Sequence, residues 1–454
     1  MSQALDHPLR QPVLDRPAQG PADRPVSSLP LWLLIAGLTF NLFSGHADEL
    51  GLPVNLDRLL LPAAMLFVVL EPGRRRWPRA TVFWVFAVFA IMATWSALSH
   101  GVEADPTAAF ALLDRVYLPL ALCFFAPNLL TRDRDRRIFL WFLTFVALYL
   151  AWTTLAQFAG AWALVWPPYA RVPAEGSSFR SAGPFMNSEV NGLSLIMCGA
   201  AAAALAGMVR GPRQLIPLAG AAAALGSCVL TMTRSVWLAA VLAVLGFVAC
   251  RRTLLRWWWV AMVALVAAVL AAVVLAPELV ASVMTRSTES SSVYDREATN
   301  AAALKIMAEQ PLTGVGWRQF VDVGWDWVRQ GDTSPMAHTH IEIHNVFLAR
   351  AAELGIPAAI TFVVALAVGP IGPLFRRRDG ELAHWRAFAV AASAAWFAPA
   401  MLSPNPHPFP NFVLWLAGGA LLLEGTSRGR VGGSGQGRVA RVPAGAAGAA
   451  GTPT

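Results

Sequence analysis

Charged residues are scarce in this sequence: they make up 14% of its 454 residues, and lysine occurs once, at Lys305. Soluble globular domains carry about 25% charged residues, so a chain surrounded by water on all sides is excluded. Hydrophobic residues make up 56% of the sequence, and the mean hydropathy is +0.52. The composition therefore indicates an integral membrane protein, with one membrane domain in place of the about three soluble domains that its length alone would suggest.

Cysteine is also rare, and none of the four cysteines has the spacing of a metal site. All lie in or beside apolar segments, so we expect small buried hydrophobic residues at Cys123, Cys198, Cys228 and Cys250. The sequence lacks a P-loop, a nucleophile elbow and a zinc signature. The net charge of +8 is spread over short arginine runs and forms no single basic patch, which argues against nucleic-acid binding.

Apolar stretches of about twenty residues, the length that crosses a bilayer, recur along the chain. We predict an all-α membrane protein of about twelve transmembrane helices, nine at 29–276 and three at 343–425, separated by a loop at 277–342. Alternatively, the tenth span consists of two pieces, one of which lies at the membrane interface. This alternative arises because the strongest apolar run starts only after Gly355-Ile356-Pro357. The predicted spans lie near 29–45, 56–71, 80–99, 107–126, 138–158, 188–208, 214–232, 235–250, 255–276, 343–368, 384–402 and 409–425.

Arginine runs occur in alternate loops, and this alternation predicts the orientation of the chain. The runs lie at 74–79, 132–137, 210–213, 251–256 and 376–378. Basic residues concentrate in cytoplasmic loops, so we place these loops and both termini in the cytoplasm. The outer segments are then 159–187, Thr231–Ser235, 277–342 and Leu402–Pro410. We predict disordered cytoplasmic tails at 1–28 and 426–454, and no cleavable signal peptide.

The longest outer segment, 277–342, is predicted to contain a helix because apolar residues cluster at 301–307. Its tryptophans suit a belt at the membrane interface: Trp317, Trp325 and Trp327.

Three outer arginines cannot be orientation signals, because they lie on the wrong side of the membrane: Arg180, Arg234 and Arg296. A guanidinium is costly to bury at a membrane boundary, and its planar fork matches the oxygens of a phosphate. Arginines that converge at the outer leaflet would therefore suit a lipid diphosphate. The alternative is that each one snorkels to water or pairs with an acidic residue such as Glu189, Asp295 or Glu297.

Three histidines lead into the tenth predicted span: His338, His340 and His344. An imidazole titrates near neutral pH and can take a proton from a sugar hydroxyl, so these residues are candidate general bases. We place the base at His344, which is followed by Asn345, and treat His338, His340 and Asn345 as supporting residues. The alternative for each histidine is a capping or packing role.

Two motifs of adjacent acidic and basic residues are candidates for other chemistry. Asp133-Arg134-Asp135 has the Asp-x-Asp form that binds a metal-bound nucleotide in many glycosyltransferases, but it lies in a cytoplasmic arginine run, where a solvated loop is expected. We therefore predict no metal site and no cofactor. Asp114-Arg115, inside the fourth predicted span, is an intramembrane charged pair, which is either a structural ion pair or part of the site lining.

Short motifs in a fixed order carry a resemblance to a known family. They are Arg180-Ser181-Ala182-Gly183, Thr233-Arg234-Ser235, Arg296, Pro311-Leu312-Thr313-Gly314-Val315-Gly316, His344-Asn345-Val346-Phe347-Leu348 and Glu353-Leu354-Gly355. Together they resemble the O-antigen ligase/polymerase superfamily of bacterial membrane glycosyltransferases, over roughly residues 170–370. One position departs from the pattern: members often carry a histidine two residues before the His-Asn pair, where this chain has Glu342.

The resemblance implies a helical, GT-C-like membrane glycosyltransferase in a bacterial inner membrane, with the 277–342 cap and the active site facing the periplasm. The implied donor is an undecaprenyl-diphosphate-linked O-antigen, held by Arg180, Arg234 and Arg296 without a metal. In the ligase branch the acceptor is the lipid A–core oligosaccharide, and His344 is the base of an inverting transfer. Membrane lipids are the remaining partners.

Two rival functions stay open in the sequence. An O-antigen polymerase or a protein O-oligosaccharyltransferase would use the same chemistry with another acceptor. A secondary transporter or flippase is of a different class, and it would place its charged residues near the middle of the membrane.

Overall fold

The computed structural model describes residues 27–52, 54–71, 77–101, 105–171, 180–275, 277, 280–281, 283–284, 291–328, 342–404 and 407–423. Throughout these ranges the regular structure is helical, and they contain no strand. The predicted tails, apart from residues 27–28, lie outside the described residues, and so do His338 and His340.

The helices before the long outer segment are α1 Leu29–Asn41, α2 Asp57–Leu70, α3 Ala80–Ser99, α4 Pro106–Leu129, α5 Asp133–Phe158, α6 Ser188–Ala206, α7 Leu215–Ser227, α8 Arg234–Cys250 and α9 Trp258–Leu275. Those that follow are α10 Ser291–Glu309, α11 Phe320–Val323, α12 Val346–Leu354, α13 Ile356–Phe375, α14 Glu381–Leu402 and α15 Pro408–Gly419. Two of them contain a π-helical turn, at Leu113–Tyr117 in α4 and at Ala367–Ile371 in α13. Short 3-10 turns lie at Asp48–Leu50, Trp162–Leu164, Pro168–Arg171, Gly183–Phe185, Pro212–Gln214, Cys228–Thr231, Arg252–Trp257 and Gly324–Asp326.

Each predicted span contains a helix, and the helix predicted at 301–307 is part of α10. The tenth span is in two pieces, because Gly355, with φ at 85°, separates α12 from α13. Two shorter helices, α1 and α8, are also apolar. Within the described residues, six helical segments are long and apolar enough to cross a membrane: Ala80–Ser99, Pro106–Leu129, Asp133–Phe158, Ser188–Ala206, Pro212–Thr231 and Ile356–Phe375. The multi-pass helical membrane architecture is therefore supported, while the number of twelve crossings stays a prediction.

Helix α6 is the most deeply buried of these six segments: 83% of its 18-residue apolar stretch is buried inside the protein. It packs against α5, α7, α8 and α14. Small residues allow this close approach, because a Cβ added to Gly192 would lie 2.5 Å from Val236, and one added to Gly199 would lie 2.9 Å from Ala224. This packing places the N-terminal ends of α6 and α8 side by side.

Large apolar side chains cover the outside of the bundle. On α3, for example, Trp84 is 63% exposed, Ile91 is 66% exposed and Trp95 is 71% exposed. Such a surface is unfavourable in water and is expected where the side chains face lipid.

Two side-chain predictions have opposite outcomes. Cys123, Cys198 and Cys228 are buried and free, as predicted, whereas Cys250 is free but only half-buried. The prediction that Trp317 belongs to an interfacial belt is wrong, because Trp317 is fully buried and its indole N–H donates to the carbonyl of Ala108 at 3.1 Å. The Trp327 indole donates to Glu309 at 3.0 Å, and the Trp325 side chain lies outside the described part of the chain.

Candidate functional site

His344 lies immediately before helix α12, in a position that Asn345 fixes. The Asn345 side-chain oxygen accepts the backbone N–H groups of Phe347 at 3.0 Å and Leu348 at 3.1 Å, which is a helix N-cap. The crossing helix α13 starts only at Ile356, so His344 stands outside the membrane-spanning segment. The His344 Nδ1 atom is buried and has no hydrogen-bond partner among the described residues. Asn345 therefore positions the imidazole, and one imidazole nitrogen is open to a further ligand.

The turn at 311–316 is locked onto the end of α12 by backbone contacts. The N–H groups of Val315 and Gly316 donate to the carbonyls of Ala352 and Glu353, each at 2.9 Å. The N–H of Ile356 donates back to the carbonyl of Pro311 at 2.8 Å, which closes the contact from the other side. The motifs at 311–316 and 353–355 thus form one structural unit. This unit anchors the 277–342 segment to α12, the helix that follows His344.

This unit depends on glycine. Gly355 has φ at 85°, and a Cβ added there would lie 2.1 Å from the carbonyl oxygen of Leu312. A Cβ on Gly314, with φ at 63°, would lie 2.4 Å from the carbonyl oxygen of Ala352. Only a residue without a side chain allows both the backbone conformation and the close approach.

Arg234 and Arg296 are brought together around Glu189. Arg234 is the first residue of α8, and the next residue, Ser235, donates its hydroxyl to Glu189 at 3.0 Å. Ser403, from the outer segment after α14, also hydrogen-bonds the Glu189 carboxylate. Burial lowers the pKa of Arg296, while the charge of Glu189 opposes this shift and that of Arg234 adds to it. These couplings place Arg234, Glu189 and Arg296 in one electrostatic cluster, on the face that the arginine runs predict to lie outside.

The segment that follows Arg180 is pinned beside the turn that leads to Arg234. The Ser181 N–H donates to the carbonyl of Leu230 at 3.3 Å, and its hydroxyl donates to the carbonyl of Thr154 at 3.0 Å. Asn191 of α6 donates to the Ser181 carbonyl at 3.3 Å. Arg180 itself is half-buried, and its neighbour Ser181 is held by α5, by α6 and by the turn after α7.

His344 is coupled to the same cluster. Burial lowers the pKa of His344, and the positive charge of Arg296 lowers it further. The negative charges of Asp295 and Glu342 act in the opposite direction. A lowered pKa keeps the imidazole neutral near pH 7, which is the form that a general base requires.

Arg115 reaches the site through Glu342. Its guanidinium donates to both Glu342 carboxylate oxygens, at 3.2 Å and 3.0 Å. Of the two alternatives for Asp114-Arg115, an ion pair between these two residues is contradicted, because Asp114 pairs with Arg58 at 2.7 Å. Consecutive helical residues point in different directions, and here they select partners on opposite sides of α4. Burial acts to raise the pKa of Glu342, but Arg115, Arg318 and Arg350 together hold it below its usual value.

Residues 219–363 match the family described as O-antigen ligase. This range contains Arg234, Arg296 and His344, together with the locked turn at 311–316. The match supports membership of the O-antigen ligase/polymerase superfamily, whose members are membrane glycosyltransferases of the ligase type. A search of curated proteins found no match.

Arg180 and Arg115 lie outside the range that matches O-antigen ligases, so the support for them is structural. Ser181, the neighbour of Arg180, is bonded to the turn that leads to Arg234, and Arg115 is paired with Glu342; a role of either arginine in the site stays a prediction.

Sequence reasoning missed two further arginines of the site, Arg318 and Arg350. Arg318 has φ at 58°, a backbone conformation that is strained for a side-chain-bearing residue and is enriched at functional sites. Arg350 is buried, lies 3.7 Å from Glu353 and stacks over the ring of Trp317 at 4.7 Å. The Arg350–Glu353 spacing of three residues on a short helix before a span was a signal that could have identified the pair.

Proposed function

We propose that the protein is an O-antigen ligase that transfers O-antigen from undecaprenyl diphosphate to the lipid A–core oligosaccharide in the periplasmic leaflet of a bacterial inner membrane. The observation that carries the proposal is the electrostatic coupling of His344 to Arg296, which is coupled in turn to Arg234. The coupling lies within 219–363, the part of the chain that matches O-antigen ligases, and it supports a base that acts close to diphosphate-binding arginines.

The proposed reaction is a single displacement at the anomeric carbon of the donor. His344 takes the proton of the acceptor hydroxyl, and the oxygen forms a bond to the anomeric carbon. The bond from that carbon to the diphosphate oxygen breaks, and undecaprenyl diphosphate leaves with its electron pair. Attack from the side opposite the leaving group inverts the configuration at the anomeric carbon.

Three arginines are proposed to stabilise the charge that grows on the leaving diphosphate: Arg180, Arg234 and Arg296. A guanidinium forms two charge-assisted hydrogen bonds with a phosphate and needs no metal to do so. Glu189 offsets part of their charge before the donor binds, which holds the arginines in place without neutralising the cluster. Transfer is therefore proposed to depend on the arginines.

The decisive experiment compares the lipopolysaccharide profiles of the parent strain, a deletion strain and the deletion strain complemented with the gene. A ligase predicts lipopolysaccharide that ends at the bare core while lipid-linked O-antigen accumulates. Core capped by a single repeat unit would assign an O-antigen polymerase instead, and unchanged lipopolysaccharide with loss of a glycoprotein would assign a protein O-oligosaccharyltransferase. Loss of periplasmic lipid-linked glycan with a normal cytoplasmic pool would assign a flippase.

A second assay separates the enzyme from a transporter directly. The purified protein, supplied with a lipid-linked donor and a core acceptor in EDTA, is expected to form the glycosidic product. Activity that EDTA abolishes and magnesium or manganese restores would contradict the arginine mechanism.

A further inference from the structure

The outer ends of α1 and α2 meet in a buried polar contact that the proposed reaction does not use. Asn41 is the last residue of α1 and is 0% exposed, and Asp57 is the first residue of α2 and is 1% exposed. The Asn41 amide donates to Asp57 Oδ2 at 2.6 Å. A carboxylate only accepts hydrogen bonds, so Asn41 turns its NH₂ group toward Asp57 and its Oδ1 atom elsewhere.

The charge of Asp57 has no protein counter-ion among the described residues. The neighbouring arginine, Arg58, binds Asp114 with two nitrogens, at 2.7 Å and 3.4 Å, and stacks over Phe110 at 4.0 Å. A buried carboxylate without a counter-ion costs several kcal/mol, and a bound cation would remove that cost.

Three oxygen atoms at this contact lack a hydrogen donor. The Oδ1 atoms of Asn41, Asn55 and Asp57 are all buried and have no hydrogen-bond partner among the described residues. Asn55 and Asp57 line one small cavity of about 10 Å³ with side chains from the α1–α2 connection, including Phe43 and Leu52. A single water would fit this volume and could donate to the unpartnered oxygens of Asn55 and Asp57, but only a cation would also offset the buried charge of Asp57.

We propose that this cavity binds a monovalent cation of the size of sodium, held by the side-chain oxygens of Asp57 and Asn55. Carboxylate and amide oxygens are hard ligands that suit such an ion. A calcium ion takes 6–8 oxygen ligands, and a magnesium ion keeps several waters, which a cavity for about one water cannot accommodate. The ion would tie the end of α1 to the start of α2.

The experiment measures thermal unfolding of the full-length protein in detergent at constant ionic strength, with sodium chloride replaced stepwise by choline chloride. We expect the Tm to rise saturably with sodium, by about 2–4 °C. Asp57→Asn keeps the hydrogen bond from Asn41 but removes the charge, and it should abolish the sodium response. Asp48→Asn, an exposed acid in the same connection, is the matched control and should keep the response.

If Asp57→Asn does not fold, Asn55→Ala removes one proposed ligand and should raise the sodium concentration needed for half the effect. A Tm that rises equally in sodium and choline would show ionic strength alone and overturn the proposal. A Tm that depends on pH and not on sodium would assign a proton to Asp57 and also overturn it. These outcomes are independent of transferase activity.

Discussion

Arg115 binds both carboxylate oxygens of Glu342, a residue 227 positions later in the chain and two before His344. The pair connects the π-helical turn of α4 to the segment that enters α12. Glu342 stands where the pattern of the resembled family often has a histidine, so the resemblance implies that a carboxylate with its own arginine takes that place here. We infer that the pair positions His344 and does not itself move the acceptor proton.

A double-mutant cycle on this pair should show strong coupling. Arg115→Gln and Glu342→Gln should each reduce transfer, and the double variant should be little worse than either, with a coupling energy of about 1–3 kcal/mol. A reciprocal charge swap is unsuitable, because Arg318 and Arg350 also act on Glu342.

The control for this cycle is the exposed ion pair of Arg137 and Glu381, at the predicted cytoplasmic side. Arg137→Gln should change transfer by less than twofold, since exposed ion pairs contribute about 0–1 kcal/mol. Additive effects of Arg115→Gln and Glu342→Gln would show that the pair does not act as a unit.

The pH profile of transfer should reveal the pKa of His344. Because burial and Arg296 hold that pKa below its usual value of 6.5, the base stays neutral at pH 7, and activity should fall only below pH 6.5. Arg296→Gln removes a positive charge, so the pKa should rise and the acid limb should move to higher pH. Glu342→Gln removes a negative charge, so the limb should move to lower pH.

These two shifts are measured on profiles that are normalised to their own maximum, so that losses of activity do not obscure them. Shifts of the same sign in both variants would contradict the assignment of His344 as the titrating group.

Gly355→Ala should damage the anchoring of the outer segment to α12. The new Cβ would meet the carbonyl oxygen of Leu312 at 2.1 Å and would have to adopt φ near 85°. The conformational strain alone costs about 1–3 kcal/mol, and the contact adds to it. Thermal unfolding should show a lower Tm for Gly355→Ala, whereas Gly226→Ala in α7, with no heavy atom within 4 Å of its added Cβ, should leave the Tm unchanged or raised. Equal stability of the two variants would mean that the turn is not anchored as described.

The positions of the helices could be predicted from the sequence because apolar runs and arginine loops depend only on local composition. The coupling of His344 with Arg296 could be expected from the order of the motifs. The partner of Arg115 could not, since an ion pair across the fold depends on how α4 and the segment before α12 pack together. Burial of Trp317 was missed for the same reason: its indole finds a carbonyl partner on α4.

The predicted topology can be tested by labelling single cysteines with a membrane-impermeant maleimide, in a background without the four native cysteines. Arg377 lies exposed in the loop between α13 and α14, which the arginine runs place in the cytoplasm. Arg377→Cys should be labelled only after the membrane is opened, whereas Leu312→Cys, 72% exposed in the natural protein, should be labelled in intact cells. Labelling of Arg377→Cys from outside would reverse the orientation and remove the site from the periplasm.

The base and the diphosphate ligands can be distinguished by their effects on donor binding. His344→Ala should abolish turnover yet leave donor binding nearly unchanged, because a base that activates the acceptor makes little contact with the diphosphate. Arg180→Ala, Arg234→Ala and Arg296→Ala should reduce turnover, and at least one of them should also weaken donor binding. Removing a charge-assisted hydrogen bond costs about 1.5–3 kcal/mol, which corresponds to about a tenfold to hundredfold loss.

Replacement by lysine separates the chemistry of arginine from its charge. Lysine at these positions should rescue poorly, because an ammonium is a point charge and cannot bridge two phosphate oxygens. His384→Ala and Arg213→Ala, at the predicted cytoplasmic side, are the matched controls and should retain transfer. Expression and Tm of every variant distinguish a lost ligand from a lost fold, since an arginine that only stabilises the structure would lower the Tm and leave the donor affinity of the folded fraction intact.

Alanine variants of His338, His340 and His344 test which of these histidines is the general base. Full transfer by His344→Ala, combined with loss of transfer in His338→Ala or His340→Ala, would assign the base to one of the residues outside the described part of the chain. Full transfer by all three variants would exclude these three histidines as the base and contradict the proposed mechanism. Because His344 is half-buried, is electrostatically coupled to Arg296 and carries a buried Nδ1 atom without a partner among the described residues, we expect the loss at His344 alone.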